Sequence, residues 1–177
     1  MATAFHAPHP PRFVWIKRLL AHSINAAQRL SFWPMRARAK MAGLMGHRLS
    51  AGTYIAERVH LAGSGLQTEG TVSFNAGCFI DAMAPIHIAD GVRVGCEAML
   101  VTTTHEAGTS DLRAGRMAYR PIRIGRGVWV GARATILPGV NIASGCVIAS
   151  GAVVHQSTKA NGLYAGVPAR RVKDLHQ

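Results

Sequence analysis

Residues 122–154 read IRIGRGVWVGARATILPGVNIASGCVIASGAVV, and this stretch decides the fold. Ile124, Val130, Ile136, Ile142, Ile148 and Val154 recur every six residues without a slip. Two positions ahead of each stand Ile122, Val128, Ala134, Val140, Cys146 and Ala152, again every six. Neither the 3.6-residue period of a helix nor the two-residue alternation of a hairpin stack yields a period of six. A hexapeptide repeat signifies a parallel β-helix. Each hexad supplies a short strand and a turn, and three hexads close one triangular coil. The aliphatic side chains point inward and stack on their counterparts one coil away. Gly, Ser and Asn between them let the corners turn sharply, and coils pair through parallel ladders about 4.8 Å apart.

Upstream the pattern continues less regularly. Thr53/Ile55, Val59/Leu61, Leu66/Thr68, Val72/Phe74, Cys78/Ile80, Ile86/Ile88, Val92/Val94 and Ala98/Leu100 serve as the paired positions. One extra residue falls between Leu61 and Thr68, and two fall around Met83 to Pro85. The period stops at Leu100 and restarts at Ile122. The segment between them, 101–121, is polar and outside the hexad register, which marks it as the place to look for chemistry.

The chain has 177 residues, 49% of them apolar and 16% charged, which is too hydrophobic for disorder and the size of one domain. Aromatic residues make up 6%, and there are 19 glycines, as a core of small aliphatics with many turns requires. The three cysteines, Cys78, Cys96 and Cys146, do not form a secreted disulfide framework. No apolar run reaches the roughly 18 residues of a membrane span, and no signal-peptide pattern opens the chain. The expected location is cytoplasmic.

The net charge of +12 is unevenly spread. All eight acids follow residue 56, whereas the first 48 residues hold eight bases and no acid. Residues 12–33 read as an amphipathic helix with Phe13, Ile16, Leu19, Leu20, Ile24, Ala27 and Leu30 near one face. Pro34 ends or kinks it, and a second short helix is expected from Met35 to Met45. The expected task of the longer helix is to cap the open first coil. Contact of this basic segment with an anionic membrane surface is the sharper alternative. The expected organisation is a basic helical extension at 1–48, a β-helix at 49–158 with the catalytic loop 101–121, and a tail at 159–177.

Several stretches resemble a known family. Ser73-Phe-Asn-Ala-Gly-Cys-Phe-Ile-Asp81 and Thr102-Thr-Thr-His-Glu106 are similar to the maltose, galactoside and nodulation-factor O-acetyltransferases. So are Pro121-Ile-Arg-Ile-Gly-Arg-Gly-Val-Trp-Val-Gly131, Ile136-Leu-Pro-Gly-Val140 and Ala165-Gly-Val-Pro-Ala-Arg170. The chain also resembles the polysaccharide-biosynthesis acetyltransferases of the same hexapeptide-repeat superfamily. The likeness covers about residues 50–173 and leaves residues 1–48 outside it.

The resemblance implies an all-β, left-handed parallel β-helix with an N-terminal helical segment, assembled as a homotrimer with active sites between subunits. It implies that His105 is the general base, taking the proton of an acceptor hydroxyl that attacks acetyl-CoA directly. A neutral imidazole suits that task near neutral pH. Asp81, with Ser73 and Asn75, would bind a carbohydrate acceptor. Many relatives carry Asn at the position of Ser73. Trp129, Gly131, Ala132 and Ser150 match contacts of the pantetheine arm of CoA, and Arg170 and Lys173 match the basic positions serving its phosphates. His155-Gln156 stands where relatives often carry Thr-Lys.

Each residue has a plainer reading as well. Asp81 would cap a turn, Glu106 would be a solvated loop acid, and the cysteines would be small packing residues. The same fold hosts a zinc carbonic anhydrase with closely spaced histidine ligands, but His105 has no histidine partner within the next 49 residues, so no metal is expected. The alternatives to O-acetylation are N-acetylation of an amino sugar and, in another class, a non-catalytic trimeric scaffold or nucleic-acid-binding module. Against the last stand the absence of an interleaved aromatic stacking motif and of a nucleic-acid-binding fold.

Overall fold

The computed structural model of the chain describes residues 12–27 and 33–176. Each coil visits three parallel sheets in turn, and the coils advance in register. The first coil consists of β1 (Gly52–Ile55), β2 (His60–Gly63) and β3 (Leu66–Thr68). The second is β4 (Thr71–Phe74), β5 (Phe79–Ala82) and β6 (Ile86–Ile88). The third begins with β7 (Arg93–Val94) and β8 (Met99–Val101), leaves the solenoid as β9 (Thr103–Ala107) and β10 (Ala114–Tyr119), and returns with β11 (Ile122–Ile124). The fourth is β12 (Trp129–Val130), β13 (Thr135–Ile136) and β14 (Asn141–Ile142). β15 (Val147–Ile148) and β16 (Val153–Val154) follow, then β17 (Gly162–Ala165) and the antiparallel β18 (Arg170–Asp174). Sheet I stacks β1-β4-β7-β12-β15-β17-β18, sheet II stacks β2-β5-β8-β13-β16, and sheet III stacks β3-β6-β11-β14. The architecture is the left-handed hexapeptide β-helix.

The six-residue period places its residues as expected. Ile124 pairs with Ile142, Val130 with Ile148 and Ile136 with Val154, each one coil apart. Every one of the paired positions, from Thr53 and Ile55 to Ala152 and Val154, is buried. The interior is thus a stack of small aliphatic layers, and truncating an inward isoleucine there costs about 2–5 kcal/mol. Cys78 and Cys146 belong to this interior, whereas Cys96 is exposed. Burial pushes the Cys78 thiol up to about 12, which keeps it protonated and unreactive.

The two irregular insertions lie at one corner. Both fall between sheets II and III, at Gly63–Gly65 in the first coil and Met83–Pro85 in the second, and the hairpin leaves the third coil at the same corner. Gly63 has φ +73°, and a Cβ there would stand 2.4 Å from the Ala82 carbonyl oxygen. Only glycine lets these enlarged corners stack.

The helices differ from the reading of the sequence. α1 covers Arg12–Ala27 and α2 covers Met35–Leu44. Phe13, Ile16 and Leu30 of the expected apolar face have side chains outside the described residues. Within it, Ile24 is buried but Leu19 is 65% and Leu20 42% exposed. α2 is the cap: it packs on β1, with Ala39 and Ala42 inside the core cluster and Arg38 also buried. α1 attaches beside it through Asn25, whose amide donates to the Leu61 carbonyl at 2.9 Å and accepts the Leu61 N–H at 3.0 Å. Small alanines, which hardly register in an amphipathic pattern, let α2 approach the coil end closely.

Below α2, buried His47 accepts the Leu66 N–H at Nδ1, 3.3 Å away, and burial lowers its titration from 6.5 to about 4. Between these pH values the unfolded chain binds the proton and the folded chain does not, so stability falls as pH falls through this window. The full loss is about 3 kcal/mol. Urea midpoints measured from pH 7 to pH 4 should show it, and His47→Asn, which keeps an acceptor without a titrating ring, should flatten that decline. A His47→Asn variant that lost stability on acidification as steeply as the wild type would refute this assignment.

Candidate active site

The polar segment 101–121 is a two-stranded antiparallel hairpin, not an unstructured loop: β9 pairs with β10, Thr103 opposite Tyr119 and His105 opposite Met117. Both of its faces are largely exposed, so it carries no apolar alternation that would betray a strand.

Its foot is pinned to the solenoid by Asp81. The buried carboxylate accepts the Thr103 N–H at 2.9 Å through Oδ2 and the Met83 N–H at 3.3 Å through Oδ1. Thr102, fully buried, donates its hydroxyl to the Asp81 carbonyl at 2.7 Å and accepts the Ala84 N–H at 3.0 Å. The Arg120 N–H closes the returning arm on the Thr102 carbonyl at 2.9 Å.

Two residues beyond Thr103, His105 is exposed, and its Nδ1 lies 2.9 Å from the Gly115 carbonyl oxygen. A carbonyl can only accept, so this bond requires the proton on Nδ1 and leaves the Nε2 lone pair facing out. The register slips between Ala114 and Met117, which brings the Gly115 carbonyl to the ring. A Cβ on Gly115 would stand 2.9 Å from the Glu106 carbonyl oxygen, so the two arms approach this closely only with glycine there. Glu106 does not orient the ring. It pairs with Arg116 at 2.9 Å on the exposed hairpin surface, where such pairs contribute little. The ring's partner is a backbone carbonyl, which no residue pattern could announce.

The remaining singled-out residues lie elsewhere on the solenoid. Ser73 is in the outer row of sheet I, in register with Arg93 and then Trp129, and its hydroxyl accepts from Arg93 at 3.3 Å. Asn75 follows at the corner between sheets I and II, its Oδ1 accepting the Ala76 N–H at 2.8 Å. Within one chain, then, Asp81 and His105 come together through Thr103, and Ser73 and Asn75 do not join them.

Gly131, Ala132 and Ser150 share the corner between sheets I and II. A Cβ on Gly131 would stand 2.5 Å from the Ser150 backbone nitrogen, so backbone stacks directly on backbone along this row of the corner. Trp129, 57% exposed, flanks it. Arg170 opens β18, its Nη1 donating to the Ala169 carbonyl at 3.0 Å and standing 3.5 Å from His155 Nε2. Lys173 is exposed opposite Leu163. Beside them Arg171 clasps the Lys159, Ala160 and Asn161 carbonyls at 3.0–3.1 Å and fixes the end of the solenoid. The Tyr164 hydroxyl and Asp174 raise the titration of this guanidinium above its ordinary range.

The repeat and its decorated hairpin define a hexapeptide-repeat β-helix protein. A family model described as "Bacterial transferase hexapeptide (six repeats)" matches residues 121–156. The chain resembles the hexapeptide-repeat acetyltransferases. It is 33% identical over 91 residues to galactoside O-acetyltransferase of Escherichia coli K12, covering 51% of this chain and 45% of that protein. It is 35% identical over 102 residues to nodulation protein L of Rhizobium leguminosarum bv. viciae, covering 55% and 54%. The chain thus spans about half the length of these curated relatives. The structure of a hexapeptide-repeat-containing acetyltransferase from Vibrio cholerae O1 biovar eltor, complexed with acetyl coenzyme A, superposes with TM-score 0.82 at 23% identity, covering 97% of this chain and 94% of that one. At that identity the likeness establishes the fold.

Proposed function

We propose that the protein transfers an acetyl group from acetyl-CoA to a hydroxyl of a sugar or glycosylated metabolite. The observation that carries this reading is the hairpin-held imidazole, with Nδ1 committed to the Gly115 carbonyl and Nε2 free. His105 Nε2 takes the proton of the acceptor hydroxyl as its oxygen attacks the thioester carbonyl. The C–S bond then breaks, the acyl–oxygen ester forms, and the imidazolium returns the proton to the departing CoA thiolate. No acyl-enzyme is required.

The backbone strip at Gly131, Ala132 and Ser150 suits an extended pantetheine arm, with Trp129 alongside and Arg170 and Lys173 placed for the nucleotide phosphates. The strip and His105 lie at different corners of one chain. A homotrimer in which one subunit's strip meets another's hairpin supports both roles. Phe79, Met83 and Met99, exposed on or beside sheet II, supply apolar surface for that contact, and light scattering should return three times the chain mass.

The test is CoA-thiol release from acetyl-CoA in the presence of pooled sugars. Product released by alkaline hydroxylamine is an ester, and product that resists it is the amide of an amino sugar. Binding of acetyl-CoA without acceptor-dependent release under any sugar would return the chain to a scaffold role.

We further place the protein in the cytoplasm at an anionic membrane surface. No helix of the described residues is long and apolar enough to cross a membrane. The support is the exposure of Leu19, Leu20, Trp33, Met35 and Leu44 within a segment that has bases and no acid. The protein should float with vesicles containing phosphatidylglycerol and not with phosphatidylcholine alone. Equal recovery with both, or with neither, would discard the idea.

A further inference from the structure

The outer side chains of sheet III form a single row. Arg48, Gln67, His87, Arg123 and Asn141 sit on successive coils, each in register with the next, at the ~4.8 Å spacing of a parallel ladder. They line a groove of about 310 Å³ whose sole acidic residue is Glu69.

The arginines of this row are not met by acids, unlike those at two corners of the solenoid. At the corners, arginines meet acids from the neighbouring coil: Arg126 pairs with Asp90 at 3.1 Å and Arg133 with Glu97 at 2.6 Å. Among the described residues neither Arg48 nor Arg123 forms such a pair. Their guanidiniums open onto one groove with an imidazole and two amides between and beside them. Small floor residues, Ala89 and Gly125, leave the row accessible. Arginine is the side chain that matches a carboxylate in two parallel bonds, and Gln, Asn and His supply donors and acceptors for hydroxyls. The row also leads to the site: Arg123 lies on β11, three residues after Arg120 at the hairpin foot.

We propose that this groove binds an acidic saccharide chain laid along the solenoid axis, the carboxylates against Arg48 and Arg123. The inference that this chain is the acceptor presented to His105 rests on the transferase reading above. The binding itself does not.

The test is calorimetric titration of the full chain with an oligogalacturonate and with a neutral malto-oligosaccharide of equal length. The oligogalacturonate should bind, with affinity falling as salt rises, and the neutral oligomer should not. Arg48→Gln combined with Arg123→Gln should weaken binding by about tenfold or more. Arg126→Gln combined with Arg133→Gln, which removes an equal charge from two paired corners, should change it by less than about twofold. Three results overturn the proposal: no binding of the oligogalacturonate, equal binding of the neutral oligomer, or equal losses in the two arginine backgrounds. CoA-thiol release with neutral sugars, followed on the same preparations, separates the two readings. Release without oligogalacturonate binding rejects the groove alone, and binding through the arginine pair without release under any acceptor rejects the transferase alone.

Discussion

His105→Ala is expected to slow acetyl transfer by about 10²-fold or more, the scale of a lost general base, while acetyl-CoA binding is retained. The expectation follows from the ring's one hydrogen bond. With the Nδ1 proton committed to the Gly115 carbonyl, Nε2 is the atom left to accept. The side chain is exposed on a hairpin outside the core, so its loss should leave Tm within a few degrees of the wild type. His105→Gln is the sharper comparison. Its amide can still donate to the Gly115 carbonyl but has no basic nitrogen, and it should be as inactive as alanine. Exogenous imidazole should partly restore the alanine variant and leave the glutamine variant, whose side chain fills the space, unchanged. If transfer falls less than about tenfold in both variants, His105 is not the base.

What could be read without the structure was the interior. Each inward pair is written into every hexad, so Ile122 to Val154 specify burial, register and coil number through local spacing alone. Asp81 and His105 stood out through their resemblance to known sites. Three features escaped because they depend on contacts across coils. The hairpin is exposed on both faces and has no period. The cap is α2, whose contact residues Ala39 and Ala42 are too small to form a conspicuous stripe, whereas Leu19 and Leu20 form part of such a stripe and are exposed. The Gly115 carbonyl became the imidazole's partner through a register slip, which lies in backbone geometry. The same holds for the groove of sheet III, since Arg48 and Arg123 are 75 positions apart in the chain and share one row only because two enlarged coils and the one carrying the hairpin bring them onto a single face.

Asp81→Ala is expected to lower both stability and turnover, and this pair of effects distinguishes two roles for the residue. As a group that only recognised a sugar, Asp81 would raise KM when removed and leave Tm in place. The structure gives it a prior engagement, since its carboxylate oxygens already accept the Thr103 and Met83 N–H groups. Met83 is exposed and its N–H can turn to water. The Thr103 N–H, at the half-buried hairpin foot beside fully buried Thr102, is harder to satisfy, and stranding such a donor costs about 2 kcal/mol. For a chain of this size that is a fall of ~4–8 °C in Tm. Release of Thr103 also frees the strand that carries His105 two residues later. A displacement of about 1 Å at a reacting group is worth roughly 10² in rate, so kcat should fall by up to that factor, with KM changed less. Asp81→Asn keeps one acceptor oxygen and should fall between alanine and the wild type in both measures. Hydrogen exchange at the Thr103 amide should speed up in the alanine variant before that of any amide of sheet II. A variant with unchanged Tm, unchanged Thr103 exchange and a raised KM alone would return Asp81 to acceptor binding and leave the hairpin foot to Thr102.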